Sequence, residues 1–126
     1  MDQANFKLHQ IGYVMLGVRE LPRSVAFYRH KLGLAVKFEI PGFAFLDGGG
    51  VTLALAEPLA RNSTQLVGGT EVVFSVEDVT AAYEALRAKG VSFTHPPRNV
   101  SGPNWAANFE DPDGHRLSVF GPEKKT

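Results

Sequence analysis

Residues 12–21, Gly12-Tyr13-Val14-Met15-Leu16-Gly17-Val18-Arg19-Glu20-Leu21, lie over Thr70-Glu71-Val72-Val73-Phe74-Ser75-Val76-Glu77-Asp78-Val79 when the chain is slid along itself by 58 positions, 12 onto 70. Apolar side chains coincide at 14/72, 16/74, 18/76 and 21/79, and an acid coincides at 20/78. Both stretches alternate with period two, as a half-buried strand does. A chain that repeats itself in this way folds as copies of one unit, so the repeat decides the architecture.

Each strand leads into a helix. Pro22 suits a first helical position, where its missing N–H costs nothing. Leu21, Val25, Tyr28 and Leu32 recur on one helical face, and Gly33 supplies the stop. In the second copy Val79, Ala82, Tyr83 and Leu86 form the face, Asp78 is the expected N-cap and Gly90 the stop. The back halves align at an offset of 64, 45 onto 109: Phe45-Leu46-Asp47-Gly48-Gly49-Gly50 lies over Phe109-Glu110-Asp111-Pro112-Asp113-Gly114. Leu53, Leu55 and Pro58 meet Leu117, Val119 and Pro122. Asp111-Pro112-Asp113-Gly114 has type I turn chemistry, and the glycines after Asp47 turn the first hairpin by their permissiveness. Leu34–Ile40 and Val91–Thr94 add one strand to each copy.

The expected fold class is therefore α+β. Two βαβββ modules, 8–58 and 70–122 with a linker at 59–69, form a single domain over 1–126. Their strands make an open, curved mixed sheet, a half-barrel with the helices on its outer face. A lone unit of roughly 55 residues has a marginal core, which favours packing the copies together.

Composition bounds the partners. The 126 residues are 44% hydrophobic and 21% charged, near the globular average. Thirteen Lys and Arg balance thirteen Asp and Glu, which argues against a nucleic-acid footprint and against an acidic trap for cationic ligands. The absence of cysteine excludes a disulfide, a thiolate nucleophile and a sulfur-built zinc site. Neither a signal-peptide pattern nor a membrane-length apolar run is present. The reading is a soluble, cytoplasmic domain without nucleic-acid or membrane partners.

The helices need an apolar floor, so Val14, Leu16, Val18, Val72, Phe74 and Val76 are expected to face them. Period two then sends Tyr13, Met15, Glu71, Val73 and Ser75 to the concave face. From the hairpins, Thr52, Ala54, Ala56, Arg116, Ser118 and Phe120 join them. Pairing across the turns is expected to add Ala44, Leu46, Ala106, Asn108 and Asn104. Small residues give this hollow room, while Tyr13, Met15, Leu46 and Phe120 give apolar walls and Glu71, Asn108 and Arg116 sparse polar anchors. That is the make-up of a small-molecule pocket. Trp105, by parity, belongs to the helix side.

These segments carry a resemblance. The first strand, Arg19-Glu20-Leu21, Ser24-Val25-Ala26-Phe27-Tyr28 and Leu32-Gly33-Leu34 resembles the first module of the vicinal oxygen chelate superfamily. Val76-Glu77-Asp78-Val79-Thr80-Ala81-Ala82 and Phe109-Glu110-Asp111-Pro112-Asp113-Gly114 resemble its second module. This superfamily includes glyoxalase I, bleomycin-resistance proteins, fosfomycin-resistance transferases, extradiol dioxygenases and methylmalonyl-CoA epimerase. The resemblance implies the fold, a homodimer, and in most of the enzymes a divalent metal held at four positions. Those positions carry over onto Tyr13, Ala54, Glu71 and Ser118. Alanine cannot ligate, a neutral serine or tyrosine is a poor partner for the ion, and one carboxylate does not make a tight site. No metal or other cofactor is expected.

The histidines do not replace those ligands. His9 shares the facing parity of Tyr13 but lies about 13 Å along the strand. His30, on a helix, and His115, after a turn, read as solvated, and His95 lies near a pocket rim. Glu71 is the sharpest chemical candidate, a general base with Tyr13 beside it as donor or acid; its plainer reading is a carboxylate bonded to tyrosine or backbone. Two functions are compatible with these residues, beside a plain assembly module whose hollow a partner fills. One is a binding protein of the bleomycin-resistance type, without metal, for an apolar or neutral small molecule. The other is an enzyme, a lyase, isomerase or dioxygenase-like protein, using Glu71 or a metal held by substituted ligands.

Overall fold

The computed structural model describes residues 8, 10–62 and 70–124. Module one contains β1 (Tyr13–Gly17), α1 (Leu21–Ala26), β2 (Val36–Ile40), β3 (Phe43–Asp47) and β4 (Thr52–Ala56). A short helix, α2 (Glu57–Asn62), comes next. Module two contains β5 (Glu71–Ser75), α3 (Val79–Ala88), β6 (Phe93–Ser101), β7 (Asn104–Glu110) and β8 (Arg116–Pro122). Each module is a mixed sheet of the same order, β1-β4-β3-β2 and β5-β8-β7-β6, with the opening strand parallel to the closing one.

Local chemistry explains the helices. Asp78 caps α3, its Oδ1 accepting from Ala81 N at 3.1 Å, and Gly90 ends the helix at φ +92°. α1 begins at Leu21 with Pro22 in its first turn. Its opening N–H is satisfied from α2, where Glu57 Oε2 accepts from Leu21 N at 2.8 Å. After Ala26 the helix widens into a π turn over Phe27–Lys31 and ends before Gly33 at φ +82°. α2 occupies positions 59–62 of the stretch read as a linker, and 63–69 lie outside the described residues.

The hydrogen-bonded ladders stop at the boundary between modules, so the curved surface consists of two four-stranded sheets. One apolar core joins them. Leu16, Val18, Leu53 and Leu55 from module one share a cluster with Val79, Phe109, Leu117 and Val119 from module two, and Trp105 packs against it from the helix side as expected.

The boundary is held by side chains. Gly114 N bonds Asp111 O at 3.0 Å, closing the expected turn after β7. Within it Asp111 Oδ1 accepts from the backbone of Asp113 and His115 at 3.0 and 2.8 Å. Its Oδ2 accepts from the Tyr28 hydroxyl at 2.8 Å, and both residues are buried. Burial first, and the negative charge of Asp111 next, push the Tyr28 phenol far above its ordinary pKa, so the hydroxyl is always the donor. Next to it, Asp113 accepts from Arg19 N, Arg19 Nε and Ser24 Oγ at 3.1, 3.0 and 3.2 Å, with Arg23 3.5 Å away. His115 Nε2 donates to the Gly17 carbonyl at 2.8 Å, a role open only to its protonated nitrogen. His115 is half-buried and bonded across the boundary, which corrects its reading as a solvated residue: the turn delivers it onto β1.

Replacing Tyr28 by Phe leaves a buried carboxylate oxygen without its donor and is expected to destabilise the fold by about 2 kcal/mol, read as a lower urea midpoint at unchanged slope. Burial raises the pKa of Asp113, but the bonds from Arg19 and Ser24 and the charge of Arg23 outweigh it and hold the carboxyl below its usual value. A depressed carboxyl stabilises the fold above its unfolded pKa of about 3.9 and loses that contribution as pH falls through the folded value. The urea midpoint is therefore expected to drop below about pH 4, and to drop less in Asp113→Asn.

Candidate functional site

β-strand parity and the registers define the face opposite the helices. In module one it carries Tyr13 and Met15 from β1, Phe43 and Phe45 from β3, Phe38 and Ile40 from β2, and Thr52, Ala54 and Ala56 from β4. The rings touch. Phe38 stacks on Phe45 with centroids 4.4 Å apart, and Tyr13 meets the edge of Phe45 at 6.0 Å. Phe45 is the cross-strand partner of Ala54, so the small β4 residues form the floor from which the aromatic shelf rises. The shelf is open: Tyr13 is 60% and Phe38 51% exposed.

Leu46 is not on this face. The hairpin register pairs Leu46 with Leu53 and Ala44 with Leu55, which puts both on the helix side, fully buried in the core. The expectation of a concave Leu46 is corrected by the turn. Gly48 to Val51 is a four-residue connection closed by Gly48 N on Val51 O at 2.9 Å, and that count fixes which residues stand opposite. Since a one-residue slip turns every side chain over, the same count brings Phe43 and Phe45 into the hollow.

Module two supplies polar groups. Glu71, Val73 and Ser75 of β5 stand beside Arg116, Ser118 and Phe120 of β8, and Asn108 stands opposite Ser118. Asn108 is 9% exposed and joins two charges: its Nδ2 donates to Glu71 Oε2 at 2.8 Å, and its Oδ1 accepts from Arg98 NH1 at 2.7 Å. Glu71 itself is exposed, so it is held by a hydrogen bond and not desolvated in an apolar hollow. No hydrogen bond links it to Tyr13 among the described residues. Arg116 is exposed and lies directly across from Glu110 without an ion pair between them. His95 is exposed on β6, opposite Asn108, with its Nδ1 3.3 Å from Thr94 Oγ1. His30 is exposed, and His9 lies outside the described residues.

Arg98, which no sequence pattern singles out, comes directly after Pro96 and Pro97. Two prolines argue against a strand, yet β6 is the edge of its sheet and its register shifts there, the setting in which strands accept proline. Where the modules meet, a cleft of about 570 Å³ opens between Met15, Arg116 and the α2 residues Leu59 and Ala60.

The four positions implied for a metal do not fit a divalent ion. Ala54 has no donor, Ser118 is a buried hydroxyl, and Glu71, the one carboxylate, has its Oε2 bonded to Asn108. No group of three His, Cys, Asp or Glu side chains comes together among the described residues, and no helix is long and apolar enough to cross a membrane.

Comparison with known proteins agrees with this architecture. The family model described as the Glyoxalase/Bleomycin resistance protein/Dioxygenase superfamily matches residues 10–119. A protein of Mycolicibacterium smegmatis is 33% identical over 118 residues, 93% of this chain and 97% of that one. A lactoylglutathione lyase of Haemophilus influenzae is 29% identical, covering 88% of this chain and 91% of that one. The crystal structure of a glyoxalase/bleomycin resistance protein/dioxygenase from Nocardioides superposes with a TM-score of 0.79 at 26% identity, over 98% of this chain and 90% of that one.

The Asn108 bridge generates a test. Asn108→Asp removes the donor to Glu71 and sets two carboxylates together, with an expected loss of about 1–3 kcal/mol. Adding Glu71→Gln returns a donor and is expected to restore most of it, a coupling read from a double-mutant cycle of urea midpoints.

Proposed function

Within the glyoxalase/bleomycin resistance/dioxygenase superfamily, to which this chain belongs, we propose that the protein binds an apolar or neutral small molecule in its concave pocket without a metal. The observation that carries this reading is the open shelf of Tyr13, Phe38 and Phe45 over Ala54. Exposed aromatic rings in mutual contact present flat apolar area with little entropy to lose, and they favour a planar or hydrophobic ligand. An alanine, Ala54, stands under the rings where a metal ligand of the enzymes would be, and it offers apolar surface and no donor. Glu71, Asn108 and Arg98 are bonded in a row, so they fit orientation of a ligand better than attraction of a strong charge. A homodimer in the cytoplasm belongs to the same proposal. The exposed apolar side chains of β1 and β5, Met15 and Val73, support a second copy, and the lack of cysteine suits a reducing compartment.

A second reading is favoured by the Asn108 bond, which holds the Glu71 carboxylate in one place at the edge of the hollow. In it the protein is an enzyme whose general base is Glu71. The two readings separate in one variant: Glu71→Gln abolishes turnover and spares ligand affinity in an enzyme, and leaves a binding protein's affinity within about twofold.

Thermal-shift screening of neutral aromatic and aliphatic compounds, with and without divalent metals, tests the primary reading. A hit is expected to raise the melting temperature equally with EDTA and with added zinc, nickel or manganese. Phe45→Ala is expected to weaken that hit about tenfold, the loss of one aromatic contact and its buried area. Stoichiometric metal in the purified protein, or an affinity indifferent to Phe45 and Phe38, would sink the proposal.

A further inference from the structure

A second cavity lies on the helix side of the sheets, away from the concave face. It measures about 290 Å³ and forms where the modules meet. Leu32 and Leu34, just past the π turn of module one, make one wall, and Phe74, Leu86 and Phe109 of module two make the rest. Phe109 and the adjoining Val119 are core residues at 1% and 3% exposure, so the floor is dry hydrocarbon. The volume lies just under the range for drug-sized ligand pockets, about 300–1,000 Å³, and suits a small ligand.

Its rim is charged with one sign. Lys31 and Lys89 both line the cavity. Lys31 Nζ lies 3.7 Å from where a side chain on Gly90 would begin, which sets its ammonium beside the turn that carries Lys89. Glycine at position 90 is required by its φ of +92°, which ends α3. Neither lysine has an acidic partner within 4 Å among the described residues. Lys31 is half-buried and sits 6.0 Å from the Phe27 ring centroid, so its stem is spread over apolar surface and its head is at the rim. Two ammonium-bearing side chains on the rim of an apolar opening suit an anion whose tail the opening can hold.

We propose that this cavity binds a medium-chain fatty carboxylate, with the alkyl chain between Leu34 and Leu86 and the carboxylate between Lys31 and Lys89. An inorganic anion would leave the walls unused, because the lining offers little but hydrocarbon. A neutral hydrocarbon would leave the two ammonium groups unanswered. The module boundary is itself one wall, so the ligand touches both modules and stabilises their association.

Decanoate, decanol and decyltrimethylammonium, each below its micelle concentration, distinguish the head group on a constant chain. Decanoate is expected to bind saturably and raise the melting temperature, decanol to bind about tenfold more weakly, and the cation not to bind. Lys31→Gln with Lys89→Gln is expected to weaken decanoate about tenfold and leave decanol unchanged, as the loss of two rim charges predicts. Ala85→Trp, at an exposed helical position lining the cavity, fills it without disturbing the core and is expected to abolish both. Equal affinity for decanoate and decanol overturns the proposal, as does indifference to the lysine pair. So does decanoate binding that survives Ala85→Trp and is lost in Phe45→Ala, which would place the chain on the concave face.

Discussion

One buried bond, from the hydroxyl of Tyr28 to the carboxylate of Asp111, fastens the two modules where their shared core meets. Each module alone is a small sheet with a helix, too slight to keep its apolar face dry, and among the described residues no backbone ladder ties one to the other. The turn after β7 therefore acts as a plug. Its aspartate uses one oxygen to brace its own backbone and the other to take the tyrosine. Asp113 and His115 then reach Arg19, Ser24 and Gly17 from the same turn. The π turn belongs to this arrangement, because Tyr28 stands within it.

A consequence is a division of labour across the hollow. Module one offers aromatic rings above alanines, and module two offers a carboxylate and a guanidinium joined through Asn108. A divalent ion would need donors from both modules at equivalent depth, and the chain places a phenol, a methyl group, a bonded glutamate and a buried hydroxyl there. Among the described residues no three His, Cys, Asp or Glu side chains come together there.

Much of the architecture was legible because it rests on periodicity. The repeat at Tyr13–Gly17 and Glu71–Ser75, the cap at Asp78, the stops at Gly33 and Gly90 and the turn at Asp111–Gly114 are local signals, and the structure contains each of them. The shared sheet face of Tyr13, Met15 and Ala54, and that of Glu71, Ser75, Asn108, Arg116, Ser118 and Phe120, follow from strand parity alone. Leu46 did not, because Phe43-Ala44-Phe45-Leu46 alternates equally well in either register and only the length of the turn chooses. Arg98 was hidden by the two prolines before it, which say nothing about whether an edge strand tolerates them. The roles of His115 and Tyr28 were illegible for a different reason: their partners are 98 and 83 residues away in the chain, and no local pattern encodes a contact at that range.

The two equivalent turns have parted ways. Asp111 is locked into the module boundary, whereas the carboxylate of its counterpart Asp47 accepts from Gly49 N at 2.9 Å and faces solvent with the glycines beside it. A loop that closes nothing but its own hairpin can be lengthened at little expense in stability. The Gly48–Gly50 tip is thus the natural place to splice in a reporter peptide or a fluorescent label, and the same insertion at Pro112 would unfasten the molecule.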